Sequence, residues 1–311
     1  MEKILLSGIA GNLGKQVAKF LSLNYHVVGL DQRDMDEDEF SSPSVEFHRL
    51  DIRRNAVEAL LRKKDIKAIV HLNVLYNPHK KTQKEEDFNI HATTRLLEHC
   101  VKYNIPKFVF LSSANIYGPR ADTFDYLKED APLMASRSYV GIQDLIALDL
   151  LVQSFFFKKK DFNIVVLRPV NIVGPNIKNI PNTYFRRKSL VSILGFDPLI
   201  QLIHSRDVLM AILLSIQNNN ARGVYNLAGP GVVPLSVFAK KLNRKVIRVP
   251  EKLLKMFARL TLKANISNFP EEEIIHLKYS SLVDDSRIKE ELGYKANVSY
   301  NDIMRNLNSI G

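Results

Sequence analysis

Short apolar runs alternate with amphipathic stretches through the first half of the chain. Lys3–Leu6, His26–Leu30, Val45–Leu50, Ala68–Leu72, Phe108–Leu111 and Ile164–Leu167 read as strands. Leu13–Leu23, Ala56–Arg62, Glu85–Tyr103 and Tyr139–Phe156 read as helices between them. Strands that alternate with helices predict an α/β fold, a doubly wound parallel sheet with helices on both faces. Such sheets take their ligands beyond the carboxyl ends of the strands. After Pro169 the pattern loosens. Leu199–Ile203 and Gly223–Leu227 read as strands, Asp207–Gln217 and Val233–Leu242 as helices, and Pro250–Ser280 with the tail as a helical cap.

The first strand runs into Ser7, Gly8, Ala10, Gly11, Asn12, Leu13 and Gly14 before the first helix. Glycines spaced by three let the backbone turn tightly and approach a ligand, with helix N–H groups aimed at a pyrophosphate. Asp31 closes the second strand, where a carboxylate can accept from both hydroxyls of an adenosine ribose. The pattern predicts a Rossmann-type dinucleotide-binding domain over residues 1–170, with later segments near 199–230 returning to it. Residues 171–311 are expected to form mainly a substrate-binding cap. Asp31 favours NAD over NADP, because a carboxylate repels a 2′-phosphate; Arg33 lies close by in sequence.

Other polar residues also follow strand ends: Asp51 the third, His71, Leu72 and Asn73 the fourth, Ser112 and Ser113 the fifth, Arg168 and Pro169 the sixth. Asp51 could accept from an adenine amino group. His204–Asp207 open a later helix, where Asp207 also fits as a cap.

Composition narrows the classes. The chain has 311 residues, a net charge of +11 and a single cysteine, Cys100. An intrachain disulfide is therefore impossible, and a cytoplasmic location is expected. Neither a transmembrane run nor a signal-peptide pattern is read from the sequence. The positive charge, with clusters at Lys158–Lys160, Arg186–Lys188 and Lys240–Arg248, suits anionic ligands or a solvated basic face. No basic stripe interleaved with aromatics points to nucleic acid, and no metal site is expected. Lys252–Lys263 is basic and apolar at helical spacing. It fits a core-facing cap helix, the preferred reading, or docking on an acidic membrane surface.

The loop Ser7–Gly14 resembles the TGxxGxxG loop of extended short-chain dehydrogenases/reductases, the NAD-dependent epimerase/dehydratase group. Leu50–Ile52 resembles its adenine-site segment, His71–Asn73 its HLA segment and Asn89 its structural asparagine. Leu111–Gly118 is similar to LSSxxVYG, Leu167–Pro175 to LRPxNVYGP, Ile203–Val208 to VHVDDV, and Gly223–Leu227 to GxxYN. The resemblance implies NAD held by Gly8, Ala10, Gly11, Asn12, Leu13, Gly14, Asp31, Asp51, Ile52, Leu72, Asn73, Tyr139, Gln143, Arg168, Pro169 and Asn171. It implies Asn115, Asn171 and His204 at a substrate, and Ser113 and Tyr139 in catalysis. It also implies a homodimer formed through Glu85–Tyr103 and Tyr139–Phe156.

One position departs from that family. Its Tyr-x-x-x-Lys puts a tyrosine and a lysine on one helical face. The lysine lowers the tyrosine pKa, so that the phenolate exchanges the proton of a substrate hydroxyl. Here the segment is Tyr139-Val140-Gly141-Ile142-Gln143. A free tyrosine is only about 0.1% phenolate at pH 7, and Gln143 brings hydrogen bonds without charge. Two functions stay open at this point. One is a reversible hydride-transfer enzyme on a secondary alcohol, of a nucleotide-sugar or of a hydroxysteroid. The other is a catalytically impaired NAD(P)-binding scaffold.

Overall fold

The computed structural model describes residues 1–35, 42–63, 65–72, 83–119, 121, 125–135, 140–158, 161–263 and 271–308. Its main sheet uses β1 (Lys3–Ser7), β2 (His26–Asp31), β3 (Val45–Arg49), β4 (Ile66–His71), β5 (Lys107–Leu111), β6 (Asn163–Pro169) and β10 (Gly223–Leu227). Their order is β3-β2-β1-β4-β5-β6-β10, and every neighbouring pair is parallel. The chain starts in the middle of the sheet, winds out to β3, then crosses to β4 and winds the other way. The reversal between β1 and β4 opens a crevice at the strand carboxyl ends.

The strand sequences explain their central places. β1, β4, β5 and β6 are almost continuously apolar and buried, as strands covered on both faces must be. One face packs around Leu6, Val70, Val109 and Leu167 with α1 (Asn12–Leu21) and α6 (Ser205–Gln217). The other packs around Leu5, Ile69, Phe108 and Val166 with α2 (Asn55–Lys63), α3 (Gln83–Lys102) and α4 (Val140–Ser154).

The second half returns to this sheet only in part. β10 completes its edge and α6 covers a face. The Leu199–Ile203 segment, expected nearby, instead forms β9 (Leu199–His204) in a separate three-stranded sheet. Its partners there are β7 (Asn171–Val173) and β11 (Val232–Pro234). The parallel strands β8 (Ser189–Ile193) and β12 (Lys245–Val249) form a second small sheet that the apolar pattern had not marked. Serines interrupt β8, and Lys245 and Arg248 interrupt the largely exposed β12, so neither carries a clear apolar run. With α5 (Ile180–Phe185), α7 (Leu235–Lys241) and α10 (Tyr300–Asn308) these strands enclose a third core around Phe185, Phe238 and Leu307. Pro250–Ser280 resolves into α8 (Glu251–Lys263) and a 3-10 helix, Glu271–Leu277. A last short helix, α9 (Ser286–Leu292), packs against β10.

Candidate active site

The glycine loop is built by close approach. Gly8 has φ 85°, a region that suits glycine. A Cβ on Gly14 would stand 2.0 Å from the Gly8 carbonyl oxygen, so only glycine lets α1 start against the loop. Gly11 is the residue before that helix, and Lys15 N–H donates to its carbonyl at 2.9 Å. The N–H groups of Asn12, Leu13 and Gly14, in the first turn, then lack partners within the helix. Leu13 packs partly into the core. Gln16, one turn into α1, donates to Pro175 O at 3.0 Å and accepts from Ser205 Oγ at 2.8 Å. This cross-link ties the first turn of α1 to the segments that follow β7 (Asn171–Val173) and β9 (Leu199–His204).

Asp31 stands at the end of β2 and is only 2% exposed. Its Oδ2 accepts from Ala10 N–H at 3.1 Å, and its Oδ1 from Arg33 N–H at 3.0 Å. The Arg33 side chain closes on the same carboxylate, Nε to Oδ1 at 3.1 Å and Nη2 to Oδ2 at 3.0 Å. The guanidinium is otherwise open to solvent, at 62% exposure. The acid expected to meet a ribose thus carries a cation across it.

Asp51, just past β3, is likewise held by its own neighbour. It accepts from Arg53 N–H, Nε and Nη2 at 2.9, 3.1 and 2.7 Å. The Arg53 side chain holds its carboxyl below the usual range. The Ile52 side chain is fully buried in the core behind, so only its backbone is placed to meet a ligand. Leu72 N–H donates to Ser7 O at 3.1 Å and joins β4 to β1 at the reversal. Asn73 and Tyr139 lie outside the described residues.

At the end of β5 the chain turns into a 3-10 helix, Ala114–Tyr117, capped by Ser113 Oγ, which accepts from Asn115 N–H at 3.2 Å. Asn115 Nδ2 donates to Asn171 Oδ1 at 3.2 Å, joining the β5 end to the β6 end. Ser112 is 6% exposed, and its Oγ is buried without a hydrogen-bond partner among the described residues. A buried hydroxyl of that kind calls for a ligand or water.

Ser112, Ser113 and Asn115 line a cavity of about 530 Å³, within the range of small-molecule sites. Pro169–Ile172 and Lys178–Pro181 form its sides, and Glu273, His276 and Leu277 of the Glu271–Leu277 helix close it. The sequence reading had not picked out Lys178, Glu273 or His276. They come from segments without a motif, and only the chain's path brings them to the β5 end. His276 Nε2 stands 3.8 Å from Glu273 Oε2. Burial lowers its pKa and the Glu273 charge opposes that shift.

Two expected site residues have other work. Arg168 is 2% exposed, and its guanidinium pairs with the buried Asp149 of α4 at 2.6 Å. It also donates to Tyr117 Oη at 2.7 Å and to Glu129 O at 3.0 Å. Its side chain points into the protein, where α4 offers the carboxylate of Asp149. His204 is the N-cap of α6: its Nδ1 accepts from Arg206 N–H at 3.1 Å, and its Nε2 lies 3.0 Å from Asn306 Nδ2. It is 1% exposed and stands outside the cavity lining. Asp207 is not the cap of α6; it accepts from Asn297 and Val298 N–H and anchors the tail.

Gln143 is exposed on α4. From Val140 to Ser154 this helix contains no lysine or arginine, so no neighbour on it replaces the expected ammonium. Tyr117, at the β5 end, is no substitute base. Its hydroxyl is engaged by Arg168 and Asn226, and burial pushes its pKa up to about 12.

Residues 4–228 match the NAD dependent epimerase/dehydratase family. The chain belongs to that family. It is 25% identical to the UDP-glucose 4-epimerase of Dictyostelium discoideum, over 98% of this chain and 94% of that protein. It is 23% identical to an uncharacterized protein of Mycobacterium tuberculosis, over 80% of this chain and 67% of the relative. Its fold is that of the UDP-glucose-4-epimerase from Stenotrophomonas maltophila, solved with bound NAD and formylated UDP-arabinopyranose. The TM-score there is 0.78 at 19% identity, covering 99% of this chain and 97% of the other. Among the described residues no helix is long and apolar enough to cross a membrane.

Proposed function

We propose that the protein is an NAD-dependent enzyme of the epimerase/dehydratase kind, acting by reversible hydride transfer at a secondary alcohol of a nucleotide-sugar. The observation that carries this reading is the placement of Ser112 and Ser113. Both end β5, beside the β1–β4 crevice, and both face a cavity of substrate size. The residues present fit the cofactor, since the Gly8–Gly14 cradle is one that a Cβ would fill. Gly8–Gly14 would hold the pyrophosphate, Asp31 the adenosine ribose, and the Asp51–Ile52 backbone the adenine. The bound dinucleotide would supply the hydride acceptor.

The chain's own residues then manage the alcohol and its proton. Ser113 Oγ, fixed by its bond from Asn115 N–H, orients the substrate oxygen. Ser112 Oγ offers a second buried hydroxyl. Tyr139 takes the hydroxyl proton, and Gln143 holds the nicotinamide ribose through hydrogen bonds. Without the usual ammonium, the Tyr139 phenolate is less stabilised and the reaction slower. The solved relative with NAD and a UDP-sugar supports the substrate class. α3 and α4 pack side by side and would meet the same pair of a second copy in a homodimer.

A second reading has its own observation. With Gln143 and no cation elsewhere on α4, the protein would bind NAD(P) as a scaffold and turn over little or nothing. One experiment separates the two: titration of NADH and NADPH, followed by a nucleotide-sugar screen of wild type, Tyr139→Phe and Gln143→Lys. Wild-type turnover abolished by Tyr139→Phe establishes the enzyme. Binding without turnover, with activity appearing only in Gln143→Lys, establishes the scaffold. Failure to bind either cofactor rejects both.

A further inference from the structure

α8 packs one face inward and leaves an apolar face outward. Leu254 and Ala258 turn in to meet Ile193, Ile274 and Leu277. Leu253, Met256, Phe257 and Leu260, at i, i+3, i+4 and i+7, form a single stripe on the other side. They are 45, 47, 54 and 55% exposed. A cap helix serving only the core would be polar there, so packing inside the protein accounts for half of this helix.

The charges beside the stripe say what would cover it. Of the acids in this region, Glu251 pairs with Lys255 at 2.8 Å and Lys278 at 2.9 Å, and Glu271 with Arg259. Lys252 lies along one edge of the stripe at helical spacing, and β12, which leads into α8, adds exposed Lys245, Ile247 and Arg248. None of Lys252, Lys245 and Arg248 has an acidic partner among the described residues. A second copy would bring its own Lys252 and a like net charge against this one, on a chain already at +11. An anionic bilayer offers both what the stripe buries into and what the positive charge attracts.

We propose that α8 is a docking helix for anionic membrane surfaces, lying in the interfacial plane with Leu253, Met256, Phe257 and Leu260 inserted and Lys252 on the headgroups. The inward face of the same helix packs on the Glu271–Leu277 segment, which closes the candidate active-site cavity. A docked protein therefore carries that cavity close to the bilayer.

Sedimentation of the full chain with vesicles tests this directly, using phosphatidylcholine alone and phosphatidylcholine mixed with phosphatidylglycerol. Binding is expected only to the mixed vesicles, and it should weaken as salt is raised. Phe257→Ser with Leu260→Ser should weaken it about tenfold or more, since both side chains leave the hydrocarbon. These positions are exposed, so thermal melting should not change. Should that double variant fail to fold, Lys252→Glu, which leaves the stripe intact, should still lower binding severalfold. Three results overturn the proposal. One is no binding to the mixed vesicles. Another is binding that survives every one of these substitutions. The last is a wild-type dimer in ultracentrifugation that Phe257→Ser with Leu260→Ser turns into a monomer, which makes the face a contact between copies.

Discussion

Arg168 and Asp149 form a buried two-point ion pair, Nε to Oδ2 at 3.1 Å and Nη2 to Oδ1 at 2.6 Å, that locks β6 to α4. Both side chains are almost wholly out of water. Desolvation alone would lower the Arg168 pKa, and the Asp149 hydrogen bond and charge more than restore it. Removing one partner strands the other, so Arg168→Ala should cost about 3–5 kcal/mol of stability. Lysine cannot make the same two-point contact, and Arg168→Lys should recover little of the loss. Urea unfolding of the two variants measures both. A cost near zero would mean that the pair is not formed.

The contact between Gly14 and Gly8 predicts a failure of a different kind. A methyl group at Gly14 would fall 2.0 Å from a backbone oxygen, and no flexible side chain is available to yield. Gly14→Ala should therefore push α1 away from the loop and abolish dinucleotide binding. Isothermal titration with NADH checks this. An unchanged affinity would show that the loop does not hold the cofactor.

Arg33 lies across Asp31, with its outer face open. With that guanidinium in place, a 2′-phosphate would meet a cation as well as the carboxylate. Charge-assisted hydrogen bonds to a phosphate contribute roughly 1.5–3 kcal/mol. Arg33→Ala should thus reduce NADPH binding by about tenfold or more and leave NADH binding equal or better, because Asp31 becomes free to accept from both ribose hydroxyls. Parallel fluorescence titrations of the two reduced cofactors decide it.

Acid should destabilise the fold through two buried histidines. His71 lies 2.5 Å from Ser7 Oγ and 3.0 Å from Thr93 Oγ1, and burial lowers its pKa to about 3. His204 is lowered to about 4, first by burial and then by Arg206. Unfolded, both titrate near 6.5. Below that pH the unfolded chain takes up protons that the folded chain refuses, so stability is full above 6.5 and falls as pH drops toward 4 and then 3. Denaturant midpoints across this window should decline, and His71→Gln should make the decline shallower. A flat profile would mean that neither histidine is held neutral.

The sequence by itself determined the doubly wound sheet and the residues at its strand ends. Period, apolar runs and glycine spacing are local properties, and a parallel sheet leaves them visible because its strands are buried on both faces. It also exposed the odd position, Gln143, since a missing charge is read directly from the residue type. Two things stayed out of reach. Strand-end position does not say which way a side chain turns: Arg168 follows β6 as a ligand-binding arginine would, but the carboxylate of Asp149 drew it inward. Nor does sequence show which distant segments meet. Lys178, Glu273 and His276 belong to no motif, and polar residues interrupt β8 and β12 so that neither shows an apolar run. Their meeting at the cavity depends on long-range packing of the second half, and so does the outward turn of Leu253, Met256, Phe257 and Leu260. One-dimensional spacing cannot assign inner and outer faces to a helix that is apolar on both; only the tertiary structure decides which face the core leaves uncovered.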